Sequence, residues 1–255
     1  MHLTVLGSGS TIPHPRRSSA GFWLQTSGGS VLLDCSAPVP FRMAQEQLDW
    51  PRLDAIWISH FHMDHCGGLG PFLAGTKHAP AMQQRTRPLR IFGPAGIIEL
   101  VDRFSDVHNY RLREQQFRVE TVEIDLLEPF QIVPGVEAVA AKTPHNDESH
   151  AIHIRDADGK TLVYSADTGF SEPVAAFAAN VDLLILECTF VKDKPVKKHL
   201  ELAEAMFLVR KAKPKRTILT HLYPEWDNVD FRTEVARFDP PGEVIEAVDG
   251  LRLEI

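Results

Sequence analysis

Three imidazoles and one carboxylate crowd into residues 60–65, which read His-Phe-His-Met-Asp-His. They directly follow residues 55–58, a short run of apolar, β-branched and aromatic residues that predicts a buried strand. Imidazole and carboxylate groups suit Zn, Mn or Fe ions. His60 and His62 would lie on one side of an extended segment, while Asp64 and His65 turn with the chain. This spacing predicts two neighbouring metal sites, since a chance cluster of loop residues would leave these polar groups poorly satisfied.

His-x-His-x-Asp-His after a buried strand resembles the signature of the metallo-β-lactamase superfamily of metallohydrolases. Members add a third His to the first metal, an Asp that bridges both metals and a last His to the second. The sequence has His145, Asp167 and His221 in that order, and the last two follow apolar, strand-like runs. The resemblance therefore implies two divalent ions, with zinc the first choice and Mn or Fe as alternatives. It places the first ion on His60, His62 and His145 and the second on Asp64, His65 and His221, with Asp167 between them. His150 is the alternative ligand if His145 does not bind the first ion.

Further segments, at residues 6–9, 32–35, 67–69, 88–96 and 186–190, resemble ribonuclease Z and related phosphodiesterases. In these enzymes a His opens the helix before the last metal-binding strand and serves the leaving group. The resemblance gives this role to His199, supported by Glu187, although Leu200 replaces the usual small hydroxylated residue. The other interpretation of His199 is a solvated surface residue. We assign Asp64, His199 and Glu187 to catalysis, Asp64 also being a metal ligand.

Asp34 has two interpretations as well. It either orients a ligand histidine, as residues that contact a ligand but not the metal do in many metal sites, or it caps a turn as an ordinary strand-end Asp.

Two metals about 3.5–4 Å apart share a bridging hydroxide at neutral pH, and Asp167 is the suitable bridging carboxylate. The hydroxide would attack phosphorus or a carbonyl carbon while the metals stabilise the developing negative charge. We therefore expect a dinuclear metal-dependent hydrolase, in the first place a phosphodiesterase. The alternative is a carboxylic ester hydrolase, such as a lactonase or thioesterase.

Two other classes fit the sequence less well. A diiron redox protein on the same fold would change part of the ligand set to carboxylate, and His62 stands where that change would occur. A non-enzymatic scaffold would have no reason to keep a costly cluster of metal-binding groups.

The chain departs from the ribonucleases in two places. Residues 36–40 read Ser-Ala-Pro-Val-Pro, where the ribonucleases usually have a Gly-Glu-Gly-Thr-like turn. Only nineteen residues separate Asp167 from Glu187, and nothing there resembles the long Gly-Pro-bearing arm that grips transfer RNA. These departures argue against transfer RNA and favour a small or nucleotide-type anionic substrate.

The charge distribution bears on the same question. The net charge of −7 argues against a protein that coats nucleic acid generally. Basic residues nevertheless concentrate in residues 192–216, with nine Lys/Arg against three acids, and in residues 75–90, with four and no acid. Beside the site, such segments would favour an anionic substrate; the alternative is a solvated helix face and an exposed loop.

Strand candidates recur along the chain and must position these residues. They span residues 3–6, 21–25, 31–34, 55–58, 89–92, 119–124, 136–141, 151–154, 161–165, 183–187, 217–220, 244–247 and 251–255. Gly28-Gly29, Asp158-Gly159 and Asp249-Gly250 predict hairpins between neighbouring strands. Helical patterns cover residues 95–104, 172–179 and 199–212. This inventory suits two packed sheets with helices outside, and the resemblance implies an α/β fold, the four-layer αββα sandwich of two mixed β-sheets.

Composition agrees with such a fold. A chain of 255 residues with 44% hydrophobic content can bury a full core, and no linker divides it, so we expect one domain over residues 1–255. Three unpaired Cys indicate a reducing compartment. The start has no basic leader, and no apolar window is long enough to span a membrane. We expect a cytoplasmic protein without a membrane partner. The sequence leaves open whether it forms a homodimer.

Overall fold

Fourteen strands form two mixed sheets of seven strands each in the computed structural model, which describes residues 1–255. In chain order the strands are β1 (His2–Gly7), β2 (Gly21–Gln25), β3 (Ser30–Leu33), β4 (Ala55–Trp57), β5 (Leu89–Gly93), β6 (Val119–Glu123), β7 (Phe130–Val133), β8 (Val136–Lys142), β9 (His150–Arg155), β10 (Thr161–Tyr164), β11 (Leu183–Glu187), β12 (Arg216–Thr220), β13 (Glu243–Glu246) and β14 (Arg252–Glu254). The sheet orders are β14-β1-β2-β3-β4-β5-β6 and β13-β12-β11-β10-β9-β8-β7. Strands β3 to β6 run parallel, as do β10 to β13, and all other neighbours are antiparallel.

Helices cover the outer faces of both sheets. They are α1 (Val39–Gln45), α2 (Met63–Cys66), α3 (Leu69–His78), α4 (Ile97–Asp106), α5 (Glu172–Phe177), α6 (Leu202–Ala212) and α7 (Phe231–Ala236). Strand β11 shows how alternation builds the layers. Leu183 and Ile185 pack between the sheets, whereas Leu184 and Leu186 pack against the outer helices. The αββα sandwich expected from the sequence is confirmed, and no helix has the length and apolar character needed to cross a membrane.

Helix α6 begins three residues later than predicted. Glu201 caps it, forming a capping box with Glu204, so the first helical residue is Leu202. The residues before it stay extended, and the Phe190 backbone pairs with them on both sides of Glu201. The prediction that His199 opens this helix is therefore wrong: His199 lies on an extended segment ahead of it.

The hairpin predicted at Asp249-Gly250 is also wrong. Strand β13 pairs with β12 in the second sheet, while β14 pairs with β1 in the first. The turn carries the chain from one sheet to the other, and the Asp249 carboxylate holds it by accepting from the backbone N–H groups of Ser8 and Ser18. The hairpins at Gly28-Gly29 and Asp158-Gly159 are confirmed by the antiparallel pairs β2–β3 and β9–β10.

Some elements were missed by the sequence patterns. Strand β7 has only four residues, bounded by a proline on its carboxyl side, and lies at a sheet edge. Helix α3 contains Gly70, Pro71 and Gly75, residues of poor helix propensity that tertiary packing overrides. Helices α1 and α7 are short, with seven and six residues.

The parallel strands bring their carboxyl ends to one edge of the sandwich. Asp34 follows β3, His60 follows β4, Asp167 follows β10 and His221 follows β12, while Glu187 ends β11. Since parallel strands end at the same edge, the two sheets deliver these side chains to a shared rim.

Candidate metal centre

The structure brings all seven predicted metal ligands together at this rim. They fall into two groups whose donor atoms lie within 4.8 Å of one another: His60, His62, His145 and Asp167 in the first, and Asp64, His65 and His221 in the second. A third such group, Asp167, His199 and His221, overlaps with both. Asp167 connects the first two groups, since its Oδ1 lies 3.2 Å from His65 Nε2 and its Oδ2 lies 3.7 Å from His145 Nε2. Nitrogen ligands about 2.0–2.1 Å from a tetrahedral ion are themselves about 3.3 Å apart, so the spacing suits metal binding.

Hydrogen bonds to backbone and carboxylate oxygens fix two of the rings. His65 Nδ1 donates to Asp34 Oδ2 over 2.6 Å, and His145 Nδ1 donates to the backbone carbonyl of Lys198 over 3.0 Å. Because the proton of each neutral ring is used at Nδ1, Nε2 presents its lone pair to the site.

Hydroxyl groups fix two further rings by relay. Thr189 donates to Glu187 Oε2 over 2.7 Å, so its oxygen accepts from His221 Nδ1 at 2.8 Å. Ser59 donates to Asp34 Oδ2 over 2.8 Å and accepts from His60 Nδ1 at 3.0 Å. In both rings Nε2 is again left as an acceptor facing the site.

The Nε2 atoms of these four rings find too few hydrogen-bond donors within the protein. His65 Nε2 and His221 Nε2 are buried and have no hydrogen-bond partner in the protein. His60 Nε2 and His145 Nε2 each lie 3.1 Å from His62 Nδ1, so two lone pairs converge on one atom that carries at most one proton. Buried polar atoms are rarely left unpaired. Divalent cations bound by these donor atoms would satisfy them, so the residues fit the metal binding that the family implies.

Burial and neighbouring charges set the protonation of the centre. Burial is the main reason that the pKa of His60 is lowered, which keeps the ring neutral as metal binding requires. Burial by itself raises the pKa of Asp167, but His221 and His65 more than offset it, so the pKa lies well below its usual range. Burial lowers the pKa of His65, but the charges of Asp167 and Asp34 outweigh it, so the pKa lies well above its usual range and a bound cation would have to displace that proton. The centre thus combines a neutral His60 ring and an ionised Asp167 carboxylate with a His65 ring that holds a proton until a cation replaces it.

Backbone strain is concentrated at the same rim. Asp34, Ala166 and His221 have φ of 58°, 51° and 62°, in the left-handed region that non-glycine residues seldom adopt. At Asp34 this conformation lets one carboxylate accept from the backbone N–H of Ser59 at 2.8 Å and from Tyr164 Oη at 2.7 Å, besides His65. Such strain persists where the surrounding structure over-determines it, as around these histidines.

His199 lies against the second donor group. Its Nδ1 donates to Glu187 Oε1 over 3.0 Å, and its ring stacks on His221 with centroids 5.2 Å apart. Glu187 also accepts from the backbone N–H groups of Thr168 and Leu200, at 2.7 and 3.1 Å. Burial lowers the pKa of His199, but the hydrogen bond and charge of Glu187 outweigh it, so the pKa is raised overall.

Thr189 is a site residue that the sequence reasoning missed, although it lay inside a segment noted for its resemblance. The available signal was alternation, since Glu187 and Thr189 are two residues apart and so face the same side of an extended chain. His150, the reserve ligand, lies at the start of β9 and belongs to neither donor group.

The two basic segments differ in position. Residues 75–88 precede β5, and the start of β5 lies at the end of the sheet opposite the site, which favours the second interpretation of this segment, an exposed surface away from the substrate. The arginines of residues 75–90 are used structurally: Arg85 donates to backbone carbonyls, Arg87 pairs with Asp54 and Arg90 with Glu120. The segment 192–216 is divided: Lys198 lies at the site, because its carbonyl holds His145, whereas residues 210–216 lead into the start of β12, at the opposite end of that strand from His221.

This fold and donor arrangement are those of a metal-dependent hydrolase. The chain belongs to the β-lactamase superfamily, since the family model described as "Beta-lactamase superfamily domain" matches residues 30–222. The family expected from the sequence is thereby confirmed.

Several known proteins are similar to this chain over most of its length. The chain is 26% identical over 224 residues to "Probable metallo-hydrolase YhfI" of Bacillus subtilis, covering 87% of each chain. The crystal structure of that metallo-β-lactamase fold protein superposes with a TM-score of 0.82 over 99% of both chains. Ribonuclease Z of Halalkalibacterium halodurans is 26% identical over 275 residues, covering 87% of this chain and 88% of the relative. A diphosphatase of the PhnP family, 22% identical, has the same fold, with a TM-score of 0.74 over 100% of this chain and 97% of that one.

Proposed function

We propose that the protein is a dinuclear metal-dependent phosphodiesterase acting on a small, nucleotide-type anionic substrate. The observation that carries the proposal is the position of His199, held by Glu187 beside His221 and Asp167. The donor groups alone would suit several hydrolytic reactions. A histidine fixed against the second donor group adds a proton donor for an alkoxide leaving group, which the hydrolysis of unactivated phosphodiesters requires.

We assign the residues of the two donor groups to the two proposed metals. The first ion would be held by His60, His62 and His145 and the second by Asp64, His65 and His221, with Asp167 reaching both. Bound there, divalent ions would supply an activated water as nucleophile and positive charge for the transition state. Zinc is our first choice, because neutral imidazoles and carboxylates in these numbers are typical zinc ligands.

The protein's own groups complete the reaction. The Nδ1–H of His199 is used by Glu187, so the proton available for transfer is the one on Nε2, away from that carboxylate. The raised pKa of His199 favours the protonated ring, and the negative charge of Glu187 is the reason. His199 would give this proton to the departing oxygen, while Glu187 holds the ring in place as a positioning residue.

The relatives support phosphoester chemistry over carbonyl chemistry. A relative named ribonuclease Z is by that name an enzyme that cleaves RNA, whose linkages are phosphodiesters. We do not propose transfer RNA as a substrate of this protein. The nineteen residues between Asp167 and Glu187 form α5 and most of β11, and no extended arm. A short rim of this kind suits a small substrate.

Metal analysis followed by a chromogenic panel tests the proposal. The purified protein should hold two divalent ions per chain and should hydrolyse bis(4-nitrophenyl) phosphate faster than a phosphomonoester, a lactone or a thioester. The matched control is the double variant His60→Ala, His62→Ala, which removes two metal donors. Activity that remains in this variant comes from a contaminant. Preferred hydrolysis of the lactone or thioester would favour the carboxylic ester hydrolase over the phosphodiesterase. A protein that binds no metal would contradict both proposed functions.

A further inference from the structure

Three chain segments meet beside the candidate metal centre, and each carries one of its side chains. Gly169 donates its N–H to the carbonyl of Pro144 at 3.0 Å, next to His145. A Cβ atom on Gly169 would lie 2.3 Å from the carbonyl oxygen of Lys197, so only glycine allows this approach. The backbone of residues 197–199 is thereby pressed against the loop that follows Asp167.

The same contact places an exposed aromatic residue next to the centre. Phe170, three residues after Asp167, is 43% exposed, and its ring lies 5.4 Å from that of Phe207 on α6, which is 38% exposed. Lys211 lies over the Phe207 ring and is paired with Glu172. The two neighbouring rings are both substantially exposed and inclined to each other by 52°, and they offer an apolar surface beside the loop that follows Asp167.

Two cations without an acidic partner lie beside this surface. Lys197 and Lys198 are exposed, and no carboxylate lies within ion-pair distance of either. Their neighbour Lys194, by contrast, is paired with Glu204. The Lys197 backbone is held against Gly169, the residue before Phe170, and the Lys198 backbone is held by His145. Both lysine side chains therefore start from fixed points on the segment that packs against this loop.

We propose that Phe170, Lys197 and Lys198 form a nucleotide subsite, in which a nucleobase stacks on Phe170 and the lysines attract the phosphate of the same nucleotide. The inference rests on the proposed phosphodiesterase function and specifies its substrate class. Every base has a π-face, so a stacking platform accepts all bases, and lysines attract phosphate without reading sequence. The subsite thus favours nucleotide phosphoesters over baseless ones without selecting one base.

Direct binding to the metal-loaded protein tests the subsite independently of turnover. Adenosine 5′-monophosphate and ribose 5-phosphate differ only in the base, so calorimetric titration of both isolates its contribution. We expect the nucleotide to bind about tenfold more tightly than the sugar phosphate. In Phe170→Ala this preference should fall to less than about twofold, and Phe170→Trp should retain it.

The lysines are tested by charge. The double variant Lys197→Ala, Lys198→Ala should weaken both ligands by the same factor and reduce the salt dependence of their binding. Tyr110→Ala is the matched control, since Tyr110 is also an exposed aromatic residue but follows α4 at the end of the sheet opposite the site. That variant should bind both ligands as the wild type does.

The outcomes separate this inference from the proposed function. Equal affinities of the wild type for the two ligands, or equal losses for both in Phe170→Ala, would overturn the subsite even in an active phosphodiesterase. If the nucleotide preference depends on Phe170 but no phosphodiester is hydrolysed, the subsite stands and the proposed reaction fails.

Discussion

The imidazole rings of His199 and His221 lie face to face, with centroids 5.2 Å apart and planes inclined by only 12°. One short network holds both rings, because Thr189 Oγ1 lies 2.8 Å from His221 Nδ1 and Glu187 Oε1 lies 3.0 Å from His199 Nδ1. A proposed proton donor is therefore fixed relative to a proposed metal ligand, and each can be tested separately.

Replacing His199 with Ala should lower turnover in a way that depends on the leaving group. We expect a loss of about 10²–10⁴-fold on diesters with alkoxide leaving groups and a much smaller loss on nitrophenyl diesters, since nitrophenolates leave without a proton. Metal content should not change. Equal losses on both substrates would reduce His199 to a residue that only positions the substrate, and no loss would show that it takes no part in the reaction.

Replacing Asp167 with Asn keeps the shape of the side chain but removes the charge that reaches both donor groups. Turnover should fall about 100-fold or more, because the groups that organise the transition-state charge are disturbed. Steady-state kinetics with and without added metal, together with elemental analysis, measures the effect. Near-normal turnover with metal present would show that Asp167 is not shared between the two ions.

Replacing Asp34 with Asn should weaken metal binding although Asp34 itself would touch no metal. Asn tolerates the left-handed backbone, but its amide nitrogen would face donors that Asp34 now accepts from. A change of a residue that orients a metal ligand typically costs about 10–100-fold in metal affinity. Competition with a chelator measures it.

Tyr164→Phe is the control for Asp34→Asn. It removes one hydrogen bond to the Asp34 carboxylate and leaves the bond to His65 in place. If the two variants lose metal equally, the orientation of His65 is not the cause.

Asp182 should make the stability of the fold depend on pH, remote from the site. Burial raises its pKa, but Lys215 and the Thr161 backbone N–H, at 2.7 and 2.9 Å, outweigh burial and lower the pKa to about 2. A lowered pKa means that the stabilisation is complete above the unfolded value of about 4 and is lost as the pH falls through about 2.

Asp182→Asn should therefore lower the free energy of unfolding at pH 7 by about 1–2 kcal/mol, a figure discounted because Lys215 is largely exposed. Urea denaturation from pH 7 to 2 should show the gap to the wild type closing below about pH 4. Asp125→Asn, at an exposed Asp without an ion pair, is the matched control. A gap that is constant with pH would remove the ionised carboxylate as the cause.

The candidate ligands could be named from the sequence because metal chemistry restricts residue types, because strand ends are marked locally, and because the family resemblance gave His145, Asp167 and His221 their roles. Residues 60–65 combine donor groups at a spacing that few other structures require, and apolar runs precede Asp167 and His221. The recurring short strand and helix patterns, which are local properties, suited two packed sheets, and the family resemblance implied the αββα sandwich.

Local patterns failed where a distant contact decided the outcome. Helix α6 begins at Leu202 rather than His199 because the Phe190 backbone pairs with the preceding residues. Asp249-Gly250 joins two sheets rather than two neighbouring strands because β14 finds its partner in β1, at the other end of the chain. Neither partner is visible in a window of neighbouring residues.

The sequence by itself therefore determined which residue types are available for metal chemistry and the class of fold that presents them. Only the tertiary structure decided how those residues are held. Asp34 on His65, the Thr189 relay to His221 and the approach of Gly169 to Lys197 join residues that are 31, 32 and 28 positions apart. Hydrogen bonds and close packing act through space, so their partners exist only once the two sheets have brought their strand ends to a common rim.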